Sequence, residues 1–378
     1  MIIWEKLKAR KQLVKAFRTA QIYRSYSTDN GERYILPKIH SVTINDHSIQ
    51  YTFTLPIGVN PDLLKKNYFV FQQIFRKQVN IEGEIKNFTL SIQTAPKKDL
   101  IYDFCEIEKA VDKHKLGIIC GQSRNGEYVS FDITEKPHIL IAGETGSGKS
   151  TQLRSILTTL IKIKRPEELQ LYLGDCKRQE FHIFRKVEHV QCVYSNARDI
   201  RSMLLKIRAE MDSRSNLTEV FEVGHIDDLP KEHKLPYIIV CIDEFVMLRK
   251  DEEIMDILTE IVAIGRTLGV FAILSMQRPN AKVLDTTVRA NLTVSMGFKL
   301  RDPMEAKIAN TPNAEKIEVS GRFIMNSDKV YEIQAPYLVM EEAKKLLSPF
   351  YVSKGPVKEV KPEEPKQLTE SEVFNDVN

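Results

Sequence analysis

The sequence is poor in the features that place a chain by composition alone. Its five cysteines, Cys105, Cys120, Cys176, Cys192 and Cys241, are scattered and form no C-x-x-C pair. An odd, dispersed set fits reduced thiols in a cytosolic compartment rather than a disulfide framework. Cys120 and Cys241 lie in apolar runs and read as buried packing residues. The eight histidines show no H-E-x-x-H or other metal-ligand spacing, so His182 and His189 read as structural residues. No apolar stretch approaches the ~20 residues of a membrane span. The longest, "LGVFAILSM" from Leu268, has the length of a buried strand. No long apolar core follows the charged N-terminus, which argues against a signal peptide. Charge of one sign is also scarce: 55 basic against 51 acidic residues leave +4, too little to argue for nucleic acid by itself.

What is present is organised along the chain. Residues 1–28 hold Lys6, Lys8, Arg10, Lys11, Lys15, Arg18 and Arg24 against Glu5 alone. Leu7, Val14 and Phe17, with Trp4, fall on helical spacing. Three readings stand for this basic helix: a solvated helix packed on its own protein, an arm for a partner or DNA, and a helix lying on anionic lipid. Residues 29–115 read as a small α/β domain and connector. "SIQYTFTLP" alternates Ile49, Tyr51, Phe53 and Leu55, and "NFTLSIQT" alternates Phe88, Leu90 and Ile92, as half-buried strands do. "NPDLLKKNYFVFQQIFRKQ" between them has a helical pattern, with Asn60 as cap and Pro61 in first position. Residues 94–115 connect to the larger domain at 116–350. There "LGIICGQSRNGEYVSFDI" reads as a hairpin turning at Asn125-Gly126. From residue 138 onward the buried runs "HILIAG", "LQLYLGD", "HVQCVYS", "YIIVCIDE" and "VFAILSMQ" alternate with helices, the rhythm of a parallel sheet covered on both faces. Residues 351–378 are rich in Pro, Glu and Lys and read as a solvated tail, with a docking motif around Val373 and Phe374 as the other reading.

The chemistry centres on "GETGSGKS", Gly143 to Ser150, set between the strand "HILIAG" and the helix "KSTQLRSILTTLIKI". That context identifies a phosphate-binding loop. Gly143, Gly146 and Gly148 let backbone N–H groups face phosphates, and the helix N-terminus adds positive potential. Lys149 is expected to reach the β- and γ-phosphates of ATP and Ser150 to ligate Mg²⁺, with Glu144, Thr145, Ser147 and Thr151 completing the cradle. "LPYIIVCIDEF" ends in Asp243-Glu244 at the strand edge where such sheets bind ligands. Asp243 suits the magnesium and Glu244 the attacking water; the bland alternative is a pair of exposed acids closing a strand. Gln277, at the end of "VFAILSMQ", suits a γ-phosphate sensor, or else is an ordinary polar strand end.

Taken together, "KPHILIAGETGSGKS", "EMDSR" at Glu210–Arg214, "LPYIIVCIDEF", "GRTLGVFAILSMQRPN" and "VLDTTVRANL" resemble the FtsK/SpoIIIE family of DNA-pumping ATPases across roughly residues 116–330. "LPIGVNPDLLKK" is similar to the α domain that precedes the motor in that family. The resemblance implies a RecA-like P-loop motor with a small N-terminal α/β domain, ATP bound between the subunits of a homohexameric ring, and double-stranded DNA in the channel. Two departures concern the site. Met276 stands where the family commonly has Thr, and Ser295 stands near the place of an arginine that reaches the neighbour's ATP. Arg301 and Arg266 are the substitutes. Arg301, Lys307, Lys316 and Arg322 are candidates for sequence-blind phosphate contacts, or else a solvated loop face.

The resemblance also bounds the role. Membrane helices and a winged-helix module, found in chromosomal members, are not expected here. A short form is typical of plasmids, phages and integrative conjugative elements. The expected function is therefore ATP-driven DNA translocation in transfer or segregation of such an element. The alternatives are a conjugative coupling ATPase handling relaxase-bound single strands, or a type VII-like protein-secretion ATPase. A cytoplasmic protein is expected, peripheral at the membrane through a relaxase or membrane-protein partner of the basic arm or the tail.

Overall fold

The computed structural model describes residues 2–28, 31–45, 48–75, 79–93, 99–281, 284 and 286–352. The tail around Val373 and Phe374, and part of "VLDTTVRANL", lie outside the described residues.

The N-terminal unit is a four-stranded antiparallel sheet with helices on it. Its strands are β3 (Lys38–Asn45), β4 (Ser48–Thr54), β5 (Val79–Glu84) and β6 (Asn87–Gln93), in the order β3-β4-β6-β5. They are preceded by helix α1 (Ile2–Thr19) and an exposed hairpin of β1 (Arg24–Thr28) and β2 (Gly31–Ile35). The strand alternation puts Tyr51, Phe53, Leu55, Phe88, Leu90 and Ile92 into one core. Helix α1 belongs to that same core and does not stand apart as a separate element at 1–28. Its Phe17 ring lies 4.9 Å from that of Phe53 and 6.1 Å from that of Phe71. The buried face of α1 is Ala9, Leu13, Ala16 and Phe17, with Ala20 just past its end; of the Leu7, Val14 and Phe17 stripe expected from the sequence, Phe17 is fully buried and Val14 partly so. Trp4 and Leu7 are exposed instead. Three alanines share that face with Leu13 and Phe17.

The single helix expected after Asn60 is two, α2 (Asp62–Lys66) and α3 (Tyr68–Phe75). Asn67 breaks it: its side-chain amide donates to the Ala20 carbonyl at 3.1 Å, tying the break to the end of α1. Asn60 still serves the start, accepting from Asp62 N at 2.9 Å.

The larger unit is one ten-stranded sheet. Helix α4 (Phe104–Val111) leads into it and packs Ile107 and Val111 in its core, so this part of the expected connector is integral to the sheet unit. The remaining elements are the hairpin β7 (Gly117–Ser123) and β8 (Tyr128–Asp132), then β9 (Ile139–Ala142), α5 (Lys149–Ile163), β10 (Leu169–Asp175), β11 (Val190–Tyr194), α6 (Ala197–Val220), β12 (Tyr237–Asp243), α7 (Glu252–Ile264), β13 (Val270–Met276), α8 (Thr286–Asn291), β14 (Val294–Gly297), α9 (Pro303–Ile308), β15 (Arg322–Asn326), β16 (Val330–Gln334) and α10 (Met340–Leu347). The order is β11-β10-β12-β13-β9-β14-β15-β16-β7-β8. The first six are parallel, and the hairpin joins the other end through antiparallel pairs. In that hairpin only Gly126 of the Asn125-Gly126 pair takes positive φ, because the connection has four residues and closes with Ser123 N donating to the Glu127 carbonyl. The parallel strands are buried on both faces, which explains their unbroken apolar runs. Strand β13 separates β9 from β12, the RecA-like arrangement. No helix among the described residues is long and apolar enough to cross a membrane.

The "EMDSR" run has a structural role in this sheet. Arg214 is buried, donates to Glu210 at 2.8 Å, and reaches the Leu268 carbonyl at 2.9 Å. It thereby ties α6 to the turn that feeds β13.

His138 introduces β9 with φ +61 and is buried; its Nδ1 accepts from Ala272 N at 3.1 Å. Burial lowers its pKa from 6.5 to about 4. The unfolded chain therefore takes up a proton that the folded state refuses. Stability from this group is complete above about pH 6.5 and should fall by up to about 3 kcal/mol as pH drops toward 4. Urea unfolding at stepped pH should show a shallower loss across that window for His138→Asn, which tolerates the backbone and keeps an acceptor for Ala272.

Candidate nucleotide-binding site

Strand β9 ends in the loop from Gly143 to Ser150, and α5 starts at Lys149. Gly148, the cap, has φ +113, and a Cβ there would meet the Cα of Gly321 at 2.7 Å. The loop is bolted to neighbouring segments by its backbone. Glu144 N donates to the Lys299 carbonyl and Gly321 N to the Ser147 carbonyl, each at 2.8 Å. Gly143 and Ser147 face the protein rather than the cavity. Glu144, Thr145, Gly146, Gly148, Lys149, Ser150 and Thr151 line a cavity of about 520 Å³, a size suited to a nucleotide. The Lys149 ammonium curls back on the Gly143 carbonyl at 2.6 Å. Burial lowers its pKa, and the charges of Asp243 and Glu244 act in the opposite direction.

Strand β12 delivers the acids to the same cavity. Asp243 accepts from the Ser275 hydroxyl of β13 at 2.8 Å, and burial raises its pKa above the ordinary carboxylate value. Glu244 sits at φ +56 and is buried, so the pair is no exposed strand ending. Both of its oxygens are engaged: one accepts from the backbone N–H of Gln277 at 3.1 Å, the other from the Lys177 ammonium at 2.8 Å. The loop after β10 presents Lys177. Asp175 holds that loop by accepting from the N–H groups of Gln179, Glu180 and Phe181 at 3.0 to 3.1 Å.

Lys177 and Ser275 went unread in the sequence, although "GDCKRQE" places a polar cluster just past a strand end, on the ligand edge of the sheet. Arg154 of α5 also lines the cavity, paired with Glu180 at 3.0 Å.

The two candidate arginines are placed differently. Arg301 is exposed just beyond β14, on the edge that carries the phosphate loop. Arg266 is exposed in the turn before β13, on the opposite edge, with its Nε donating to the Thr134 carbonyl at 3.3 Å. Neither lines the cavity of its own chain. Lys307 and Lys316 are exposed, whereas Arg322 is half-buried and ion-paired with Glu332 at 3.4 Å.

The donor set can be tested against a magnesium–nucleotide. Among the described residues no cluster of three or more His, Cys, Asp or Glu forms a metal centre. A Ser150 hydroxyl and one Asp243 carboxylate beside a phosphate cradle suit Mg²⁺, which is held by few protein oxygens together with substrate phosphates. The glycine-lined loop leaves room for phosphates where side chains would intrude. The residues fit the group.

Comparison with known proteins agrees with this architecture. A family model described as the FtsK/SpoIIIE family matches residues 105–232. A DNA translocase FtsK of Leptospira interrogans is 30% identical over 296 residues, covering 71% of this chain and 29% of that protein. The chain spans about a third to a half of the length of such relatives. Among solved structures, the pCW3 conjugation coupling protein TcpA, in a monomer form with ATPγS, superposes with a TM-score of 0.62 at 23% identity, over 90% of this chain and 99% of that one. The cytoplasmic domain of the Thermomonospora curvata type VII secretion ATPase EccC gives 0.58 at 22% identity, over 64% of this chain and 32% of that one. These likenesses establish the shared fold.

Glu244 depends on Lys177 for charge compensation, with side chains 7% and 27% exposed. Lys177→Ala should therefore lower unfolding free energy by about 1–3 kcal/mol, and adding Glu244→Gln should restore most of it. Denaturant unfolding of the two singles and the double measures that coupling.

Proposed function

The chain carries a domain of the FtsK/SpoIIIE family, and from that premise we propose that it is an ATP-hydrolysing motor acting on DNA. The observation that carries this reading is the convergence of Lys149, Asp243 and Glu244 on one cavity at the edge of the parallel sheet. Magnesium-bound ATP supplies a phosphoanhydride whose attack by water releases free energy. The chain's residues prepare for that step. Loop N–H groups and Lys149 hold phosphate oxygens and offset their charge. Ser150 and Asp243 hold the metal, with Ser275 fixing the carboxylate. Glu244 takes a proton from water, and Gln277, adjoining it through its own N–H, orients that water and senses the terminal phosphate.

DNA enters the proposal through the segment Lys299–Gly321. Exposed Arg301, Lys307 and Lys316 lie on it and suit sequence-blind contacts with a polyanion. Such a motor works as a ring, here a homohexamer, with Arg301 the better placed of the two arginines for a neighbour's nucleotide. Double-stranded DNA of a mobile element is the favoured cargo. A coupling role with single strands is the second reading, favoured by the match to TcpA over 90% of this chain, beyond the sheet unit alone. The basic outer face of α1, with Trp4 75% exposed, offers a surface for a relaxase or a membrane partner.

The direct test measures ATP hydrolysis with duplex and single-stranded DNA, together with displacement of a triplex-forming oligonucleotide. Duplex should stimulate hydrolysis and the triplex should be displaced; stimulation by single strands alone would select the coupling reading. Stimulation by a secretion-signal peptide, with none by DNA, would reject both. Glu244→Gln should retain nucleotide binding while hydrolysis falls by about 10²–10⁴-fold. DNA affinity should fall by about tenfold or more between 50 and 200 mM salt, as counterion release requires.

A further inference from the structure

The outer side of α1 mixes exposed apolar groups with cations. Helical spacing puts Trp4, Leu7, Lys11, Val14, Lys15 and Arg18 together there, opposite the buried Ala9, Leu13, Ala16 and Phe17. Glu5, the one acid of the helix, falls on another side. From Leu7 to Arg18 this side lines an open groove of about 430 Å³. Trp4 lies one turn before it, 75% exposed, and Leu7 is 53% exposed. Arg10 is committed at the groove's border, donating to the Ile39 carbonyl at 3.0 Å. Among the described residues no carboxylate pairs with Lys11, Lys15 or Arg18.

An apolar floor with a cationic rim calls for an occupant that has apolar side chains set among acids. A nucleic-acid backbone would answer the cations and leave the apolar floor unmatched. The chain's own residues 367–378, "QLTESEVFNDVN", answer both. They carry Glu370, Glu372 and Asp376 with no Lys or Arg, and Val373 and Phe374 stand between those acids. The stretch before them, 353–366, is mixed in charge: Lys354, Lys358, Lys361 and Lys366 accompany Glu359, Glu363 and Glu364. The described chain ends at Val352, whose N–H donates to the Lys186 carbonyl at 2.9 Å. The fourteen residues 353–366 reach about 46 Å when extended. A tether of that kind gives the segment a millimolar effective concentration, so modest complementarity suffices.

We propose that residues 367–378 dock on the outer face of α1. Phe374 lies in the groove over Leu7 and Val14, and Glu370, Glu372 and Asp376 meet Lys11, Lys15 and Arg18. The segment thereby competes with any other anionic partner of this helix.

Two measurements on the full chain test the docking. A carbodiimide joins a lysine to a carboxylate only where the two touch, and mass spectrometry should find Lys11 or Lys15 joined to Glu370, Glu372 or Asp376. These links should be lost in 1 M salt, which screens exposed pairs. Trp4 is the only tryptophan, so its quenching by acrylamide reports cover on this face. Reversing the segment (Glu370→Lys with Glu372→Lys) or the helix (Lys11→Glu with Lys15→Glu) should abolish the links and raise Trp4 quenching about 1.5-fold or more, as uncovering an aromatic ring predicts. Phe374→Ala should raise quenching likewise. All four reversals together should restore both the cover and the links, now with lysine and carboxylate exchanged, which a merely misfolded variant cannot do. Absence of the links in the wild type, or a fourfold variant no better than either pair, overturns the proposal. Phosphatidylglycerol vesicles or duplex DNA should change Trp4 emission more in the segment-reversed chain than in the wild type. An equal change in both gives the face to lipid or DNA and also overturns it.

Discussion

Two lysines and two carboxylates share one partly buried cavity, and their mutual neutralisation makes the site affordable. Lys149 and Lys177 offset Asp243 and Glu244, so the group carries no formal net charge. Each charge taken alone would be expelled from such a place or would lose its ionisation. The opposed directions at Lys149, lowered, and Asp243, raised, show burial acting on both signs at once. A polyanionic ligand entering this quartet meets cations already drawn inward, with little side-chain entropy left to lose. It also unbalances the quartet, because the lysines then answer to two sets of negative charge.

The sheet serves that arrangement. The four charged groups come from three segments at the same edge: the loop after β9, the connection after β10 and the end of β12. The parallel register aligns Asp175 with Asp243, and β13 places Ser275 within reach of the latter. Side chains from separate parts of the sequence thus converge on one cavity. Glu244 adopts a left-handed backbone conformation, with its carboxylate on Lys177 and Gln277.

The parts of the fold legible in the sequence were those written in local order. Buried parallel strands show as continuous apolar runs, and the phosphate loop carries its glycines, lysine and serine within eight consecutive residues. What escaped was set by distant partners. Lys177 has meaning only beside Glu244, 67 residues on. The buried face of α1 was legible only in part. Alanines carry a weak hydrophobic signal, and three of them share that face with Leu13 and Phe17, while Trp4 and Leu7 lie outside. Asn67 likewise looks like any polar helical residue until its amide is seen to hold Ala20.

The segment from Lys299 to Gly321 has both ends hydrogen-bonded to the phosphate loop, through Glu144 and Ser147. Between those ends Leu300, Ala306, Ala309, Ala314 and Ile317 pack into the core, and Arg301, Lys307 and Lys316 lie exposed. Two attachments a few residues apart on the same loop give loop and segment a common backbone frame, so the exposed cations are referred to the place where the phosphates would sit.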